Sequence, residues 1–354
     1  MNPIISVMRY LNCKGKQVVV LLILSFAPTI SVICQIPSWR VGLFTFFDNI
    51  EFGGSSFKIP QTMSGVRLKP EAGLTWDSVH TVHAGIDLLH EFGSNKTVGN
   101  FYPVIYYEFN RKPFRFIMGA FPKPVELLDY PRLFFQDSVE YYRPVMNGMF
   151  VEYRRKNGYL DLWLDWTGRQ SETVRETFLA GVNGRYNHGI FYTRYYGYMF
   201  HFAGFQDPLI NEAYHDNLLS LASFGIDLSG KTFLTRLEAN GGWVGAAERA
   251  RADNTGWILL SGFLAETRIE YRFIGLFNTF YTGSELMHFY GTHDIDLYWG
   301  DPVFRANTCN RSDIYLKFFN SKSVSVDVIY SLHFLEGTVY HEQMLKVRVN
   351  LPSK

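Results

Sequence analysis

The segment Gly158 to Thr167, with the sequence GYLDLWLDWT, carries the pattern on which the fold prediction depends. Its leucines occupy one face of an extended chain, while Asp161 and Asp165 occupy the other. Successive side chains of a strand point to opposite faces, so the pattern predicts a β-strand with one apolar and one polar face. The same alternation recurs in Ser323 to Phe334 and in Leu345 to Leu351.

Applied to the whole chain, this pattern predicts about sixteen strands, or fourteen if two ambiguous segments are not strands. Each strand together with its connection takes roughly twenty residues. Tight turns such as Lys156-Asn157-Gly158 alternate with long polar connections, among them Pro122 to Met146, Thr282 to Asn310 and Glu336 to Tyr340. Strict alternation gives one smooth rim and one elaborate rim. We therefore expect an all-β, up-and-down antiparallel transmembrane barrel that forms a single domain over residues 35–354.

Aromatic residues near the ends of the apolar faces indicate which side meets the membrane. Trp76, Tyr153, Trp166, Tyr186 and Phe334 all stand in such positions, as in the aromatic girdles of outer-membrane barrels. A soluble β-sandwich would show the same alternation and is the alternative. The strand number, the alternating connections and the aromatic girdles together favour the membrane barrel.

The polar faces should then line the lumen. They carry many ionised groups, which a dry core could not hold, and a barrel of sixteen strands is wide enough for water. The predicted pore-lining residues are Arg67, Glu71, Arg154, Asp161, Asp165, Arg185, Arg236, Glu238, Arg268, Arg272, Lys317 and Arg348.

The amino-terminal residues resemble an export signal. Basic residues precede the apolar run Val18 to Ala27, which is too short to cross a bilayer as a helix, so residues 1–34 are predicted to be a signal peptide. Cys34 as a lipoprotein cysteine is the alternative. Because no later apolar run has the length of a transmembrane helix, periplasm, secretion and the outer membrane remain as destinations, and the barrel selects the cell outer membrane.

The amino-acid composition argues against several other classes of protein. The chain has 34 basic and 33 acidic residues, a net charge of +1, so no basic surface field points to nucleic acid. Only 19% of residues are charged and 17% are aromatic, which argues against disorder. After cleavage Cys309 would be the single cysteine, so no intrachain disulfide is expected.

The overall pattern resembles the Gram-negative outer-membrane porins over nearly the whole mature chain, although the chain ends in Pro352-Ser353-Lys354 and lacks their terminal aromatic residue. The resemblance implies a third long loop that folds into the channel and constricts it, and a possible homotrimer. Packing of the loop on the rim is the alternative. The charged residues of this loop are Glu126, Asp129, Arg132, Asp137, Glu140 and Arg143.

The leading functional hypothesis is therefore a non-enzymatic channel for passive diffusion of small polar solutes, with outer-membrane lipid as its surroundings. The second hypothesis is a barrel whose external loops bind a ligand or partner. The third is a membrane-embedded hydrolase. Ser331 and His333 share a face, but residues two apart on a strand lie ~6.5 Å apart, beyond the ~3 Å that proton transfer needs. His201 or His83 could pair with a serine on a neighbouring strand, and nothing in the sequence selects one.

A metal site is the last functional possibility. His288, His293, Asp294, Asp296 and Asp301 cluster in the long connection before Asn310. Histidine and carboxylate side chains can bind transition metals or Ca²⁺, but this spacing matches no ligand motif. We therefore predict neither a metal nor a cofactor.

Overall fold

The computed structural model describes residues 35–207, 214–251 and 256–352. Sixteen antiparallel strands pair in sequence order, and β1 pairs with β16 to close the barrel, which confirms the predicted fold. The predicted signal peptide, residues 1–34, lies outside the described residues and stays a prediction. The strands β1 to β16 are Ile36–Glu51, Gln61–Trp76, His80–Glu91, Asn100–Arg111, Phe114–Pro122, Val145–Arg155, Gly158–Gly168, Thr177–His188, Phe191–Phe202, His215–Asp227, Arg236–Ala250, Ile258–Tyr271, Ile274–Gly283, Thr308–Asn320, Val324–Leu335 and Thr338–Pro352.

Short and long connections alternate as predicted, with two exceptions. The connection between β10 and β11, residues 228–235, is longer than a tight turn. The connection between β15 and β16 was expected to be a long loop, but it is the two-residue turn Glu336-Gly337. Both residues have positive φ, 49° and 79°, as two-residue hairpin turns require. We call the two ends of the barrel the turn rim and the long-loop rim.

The two faces of the wall differ as the alternation predicted. Large apolar side chains such as Ile105 and Trp243, each 62% exposed, project outward, while Phe44 and Tyr196 on the inner face are buried. Within the described residues, no helix has the length and apolar character needed to cross a bilayer.

Two of the long connections fold into the barrel. Residues 123–144 contain α1 (Val125–Leu128) and α2 (Asp137–Tyr142), and residues 284–307 contain α3 (Tyr290–Leu297) and a 3₁₀ turn (Pro302–Arg305). We call these two segments together the plug. Pro131 lies between α1 and α2, and proline, which cannot donate a helical hydrogen bond, suits this interruption.

The two plug segments are hydrogen-bonded to each other. The Gln136 amide donates to the Trp299 carbonyl over 2.7 Å, and the Asp301 amide donates to the Arg132 carbonyl over 2.8 Å. Between them a Cβ atom at Gly300 would lie 2.1 Å from the Leu133 carbonyl oxygen, so only glycine permits this approach. The plug is therefore a single packed unit.

The plug also explains why some strands are aromatic on both faces. On β1 the Phe46 ring stacks on Tyr141 of the plug with centroids 4.3 Å apart, and on β9 Tyr196 packs edge-on against Tyr130 at 4.9 Å. An inner wall that contacts protein needs apolar side chains there. The half of the lumen near the long-loop rim is thus packed with protein, which differs from the water-filled channel expected from the sequence.

Candidate functional site

The predicted pore-lining side chains, with one exception, lie on inward-facing strand positions. Their contacts include Asp87 for Arg67, His83 for Glu71, Glu152 for Arg154, Asn183 for Asp161, Lys123 for Asp165, Glu238 for both Arg185 and Arg236, Phe277 for Arg268, Glu270 for Lys317 and Glu140 for Arg348. The exception is Arg272, and its assignment to the wall was wrong. It occupies the tight turn between β12 and β13 with a φ of 56°, and its guanidinium lies over the Tyr271 ring.

The residues expected to form a constriction lie inside the barrel, in the plug. Arg132 bonds to Asp137 over 2.7 Å and to Asp313 of the wall over 2.9 Å. Arg143 lies 4.5 Å from the Trp299 ring centroid. The remaining members are Asp129, which is exposed, Glu140, which pairs with Arg348, and Glu126, whose side chain lies outside the described part of the chain.

A cavity of about 500 Å³ remains in the lumen beneath the plug. The plug residues Asp129 and Glu140 lie on one side of it. Basic wall residues, among them Arg194, Arg236 and Arg268, lie on the other. Lys123 and Arg132 of the plug and Glu238 and Glu266 of the wall also line the cavity, so charges of both signs lie on both of its sides. The cavity occupies the half of the lumen toward the turn rim.

Above this cavity lies a dense ionic network that we call the Arg311 cluster. Arg311 of β14 contacts four carboxylates: Asp313 at 2.7 Å, Asp137 at 3.3 Å, Glu342 at 3.4 Å and Asp301 at 3.5 Å. Side chains from connections and from wall strands meet there. The members of the cluster are Lys58, Arg132, Asp137, Asp301, Arg311, Asp313, Glu342 and Lys346.

Electrostatics hold the groups that the connections contribute to this cluster in their charged forms. Burial by itself would raise the pKa of Asp137, but Arg132, Lys346 and Arg311 outweigh burial and hold that pKa well below its usual range. Burial would likewise lower the pKa of Lys58, whereas Asp301 and Glu342 raise it above its ordinary value. The cluster therefore keeps its cations and carboxylates ionised although little water reaches them.

Next to Arg311 the structure places a histidine with a carboxylate partner. His333 Nε2 lies 2.8 Å from Glu342 Oε2, and both residues are 1% exposed. The Nδ1 atom of His333 has no hydrogen-bond partner in the described part of the chain. Ser331 accepts a hydrogen bond from Arg311 Nη2 at 3.2 Å. A proton on Nε2 shared with Glu342 would leave Nδ1 as a base, so the arrangement can take a proton from water or a hydroxyl.

A small cavity of about 10 Å³ adjoins this histidine. His333, Arg311, Arg132 and Asp301 are among its lining residues. This volume is near the minimum that holds one water molecule, and the lining offers polar partners for it. A water beside His333 would therefore meet a base and two guanidinium groups.

Asp48 and Tyr141 are buried polar residues that were not predicted from the sequence. Asp48 is fully buried on β1, and neither of its carboxylate oxygens has a hydrogen-bond partner in the described residues; the Tyr141 hydroxyl likewise has none. A buried carboxylate without a partner is costly, so such a group calls for a functional explanation. The only sequence signal was a single acidic residue between Phe46 and Ile50 on the inner face of β1.

The expected polar loop before Asn310 does not collect its histidines and acids in one place. His293 Nε2 lies 2.8 Å from His215 Nε2, whereas Asp301 bonds to Lys58 at the Arg311 cluster. Across the described ranges, no group of three or more His, Cys, Asp or Glu side chains is arranged to hold a metal ion. The expected absence of metal and cofactor stays a prediction.

The fold is shared with solved outer-membrane barrels. Outer-membrane OmpT of Vibrio cholerae is 10% identical, with a TM-score of 0.56 over 91% of this chain and 99% of that one. The anion-selective porin of Comamonas acidovorans is 9% identical, with a TM-score of 0.55 over 90% and 99%. A Rhodopseudomonas blastica porin mutant is 10% identical, with a TM-score of 0.51 over 89% and 100%. This likeness confirms the porin-type architecture and, on the fold, the outer-membrane location.

The sequence assigns the chain to a protein family, which the fold alone does not do. A family model described as Lipid A 3'-O-deacylase-type matches residues 38–346, nearly the whole described barrel, so the chain belongs to this family. No curated protein matches the chain. The family is one of enzymes, so the expectation that this protein is not an enzyme was wrong. The error arose because barrel architecture alone carries no information about chemistry.

Proposed function

We propose that this protein is an outer-membrane hydrolase that removes an ester-linked acyl chain from lipid A, with His333 and Glu342 as its catalytic pair. Membership of a deacylase family over residues 38–346 is the observation that carries the proposal. The pair supports it because a base oriented by a carboxylate, with its second nitrogen free, is what ester hydrolysis needs.

The chemistry follows from the neighbours of the imidazole. Water held beside His333 attacks the ester carbonyl carbon while its proton passes to Nδ1. The imidazolium that forms is stabilised by Glu342, and the proton then goes to the leaving 3′ oxygen as the ester C–O bond breaks. The guanidinium groups of Arg311 and Arg132 line the same small cavity and stabilise the negative charge on the carbonyl oxygen.

Access to the pair is from the long-loop rim. The Phe52 ring lies edge-on to His333 with centroids 4.9 Å apart and stacks on Tyr340 at 4.7 Å. Lys58 lies over the same Phe52 ring at 5.3 Å. The connection after β1 is thus the cover of the site, and the reaction requires Phe52 to move aside for the ester.

Product analysis tests the proposal. The full chain, folded in detergent micelles, is incubated with lipid A and separately with a glycerophospholipid, and both lipids are analysed by mass spectrometry. We expect lipid A to lose one acyl chain as free fatty acid. The Glu342→Gln variant should lose this activity, whereas Ser331→Ala should keep it, because water is the nucleophile. Lipid A that stays intact with folded wild-type protein would refute the function.

A second candidate function is passive diffusion of small polar solutes. The cavity of about 500 Å³ between the plug and the wall favours it, since fixed charges of both signs line this part of the lumen. Single-channel recording in planar bilayers tests it, with salt-dependent conductance as the expected result and a sealed bilayer at high protein load as the opposing one. In vitro folded OmpT of Vibrio cholerae has a trimer form, and trimer formation by this chain stays a prediction.

A further inference from the structure

A cluster of charged side chains lies on the outside of the barrel near the long-loop rim. Strand pairing places His201 of β9, Asp216 of β10 and Arg249 of β11 side by side on the outer face. Asp216 bonds to Arg249 over 2.7 Å, to Arg251 over 2.8 and 2.9 Å, and to His201 over 3.1 Å. One buried carboxylate thus holds two arginines and a histidine, so the cluster has an excess of positive charge.

The cations of this cluster remain reachable from outside. The Asp216 side chain is 5% exposed, while those of Arg249 and Arg251 are 35% and 46% exposed. Arg249 lies 4.4 Å from the ring centroid of Trp257, which is itself exposed. Tryptophan on the outer face of a barrel marks the level of the membrane interface, where lipid headgroups lie. The exposed guanidinium groups therefore face the headgroup region.

Directly below the cluster, the lipid-facing wall has a depression that shares strands β9 and β10 with the cluster. Its upper part has a volume of about 660 Å³, with Ala180, Gly197 and Ser220 in its floor and Leu162 and Leu218 at its sides. Small side chains on neighbouring strands leave the wall recessed, and the larger ones form its ridges. This part starts two residues below the Asp216 position along β10.

A second depression of about 810 Å³ continues toward the turn rim, with Gly184, Ala222 and Gly241 in its floor. Tyr195 borders both parts and separates them. From Leu218 to Phe224 the groove follows β10 for about 20 Å at the rise of a strand, which is longer than half of the ~30 Å hydrocarbon core. The length and the apolar lining suit extended acyl chains.

From these observations we propose that the outer wall of β8 to β11 binds a membrane lipid with an anionic phosphate headgroup, whose phosphate lies on Arg249 and Arg251 and whose acyl chains fill the groove. The charged cluster and the groove share strands and face the same side. Arginine suits phosphate because its planar guanidinium donates two parallel hydrogen bonds. This site is separate from the His333–Glu342 pair, which faces the lumen.

Native mass spectrometry of the full chain in detergent tests the proposal with two probes, phosphatidylglycerol and phosphatidylcholine of identical acyl chains. We expect phosphatidylglycerol to bind more tightly. The double variant Arg249→Gln/Arg251→Gln should weaken its binding about ten-fold, the effect of losing one to two charge-assisted hydrogen bonds. Equal binding of the two lipids by wild-type protein, or unchanged binding by a double variant shown to be folded, would overturn the proposal.

A groove-filling variant keeps the test decisive if the double variant does not fold. Ala180→Phe should displace the bound lipid while leaving the outer surface apolar. Ala84→Phe, which adds the same side chain to the lipid-facing surface of β3, is the matched control and should bind lipid as wild type does. Undiminished lipid binding by Ala180→Phe overturns the proposal. So does a wild-type oligomer that Ala180→Phe converts to monomer, since the groove would then be an interface between two copies of this chain.

Discussion

The two halves of the lumen each hold a histidine beside carboxylates, and the two sites differ in one respect. Near the long-loop rim, His333 uses Nε2 for Glu342 and leaves Nδ1 without a partner among the described residues. Near the turn rim, His83 has Nδ1 2.9 Å from Glu71 and Nε2 3.3 Å from Glu108. Both ring nitrogens of His83 therefore face carboxylates, although Nε2 makes no hydrogen bond within the described residues, whereas only one nitrogen of His333 faces an acid.

A histidine beside a carboxylate does not by itself make a catalytic base. His83 is held between two acids, so we expect it to act as a structural contact. His333 has one acid, two nearby guanidinium groups and a cavity of the size of a water molecule. The same residue types thus give an ion pair in one half of the barrel and a potential general base in the other.

The largest expected difference in stability between the two halves concerns arginine. Arg311→Met removes the cation that four buried carboxylates share, which should cost about 3–5 kcal/mol of unfolding free energy. Arg236→Met in the turn-rim half removes a partly exposed cation from Glu238 and should cost no more than about 1 kcal/mol. Urea unfolding in micelles, followed by heat-modifiable gel mobility, measures both. Equal losses would show that the two halves are equally packed.

A smaller effect is expected in the pH dependence of the unfolding free energy. The pKa of Asp137 in the folded protein lies well below its unfolded value, so its stabilising contribution is complete above the unfolded pKa of about 3.9 and is lost as the pH falls through the lower folded pKa. The wild-type plug should therefore stay docked at pH 4. Asp137→Asn should unfold about 2 kcal/mol more easily at neutral pH and lose this acid-dependent change. The unfolding free energies of both proteins, measured between about pH 3 and 7, test this prediction. The same dependence on pH in the two proteins would contradict it.

The smallest expected effect lies in the turn-rim half. The Tyr106 hydroxyl donates to Glu71 over 3.0 Å and accepts from Arg40 over 2.9 Å. Tyr106→Phe should cost about 1 kcal/mol of unfolding free energy, the usual contribution of one or two such hydrogen bonds. Arg40 and His83 still contact Glu71 in the variant, so hydrolysis of lipid A should be unchanged. Reduced hydrolysis with a normal unfolding curve would move the catalytic site toward this half.

Sequence patterns predicted the barrel, its rims and the inward direction of most charged residues, because these follow from local alternation. They also placed the loop from Pro122 to Met146 in the lumen through the porin resemblance. They did not predict the second plug segment, 284–307. Its contacts with other parts of the barrel join residues far apart in sequence, such as Lys58 and Asp301, and these form only when the barrel closes.

One misassigned turn kept the sequence analysis from finding the proposed catalytic pair. The expectation of a long loop at Glu336 to Tyr340 was wrong, since the turn is Glu336-Gly337 and pairs Leu335 with Thr338. With that register Ser331 lies opposite Glu342, and His333 lies diagonally across from the same carboxylate. The hydrolase hypothesis considered Ser331 and His333, two residues apart on one strand, and His201 or His83 with a serine of a neighbouring strand, but not an acid. The carboxylate that contacts His333 belongs to the neighbouring strand.

The most direct test of the catalytic role compares two histidine variants in the same hydrolysis experiment. His333→Asn and His83→Asn are each folded, checked by heat-modifiable mobility, and assayed for release of fatty acid from lipid A. Loss of a general base should slow the His333→Asn variant by about 10²–10⁴-fold, while the His83→Asn variant keeps the wild-type rate. A folded His333→Asn variant that releases fatty acid as fast as wild type would contradict the assignment of His333 as the base.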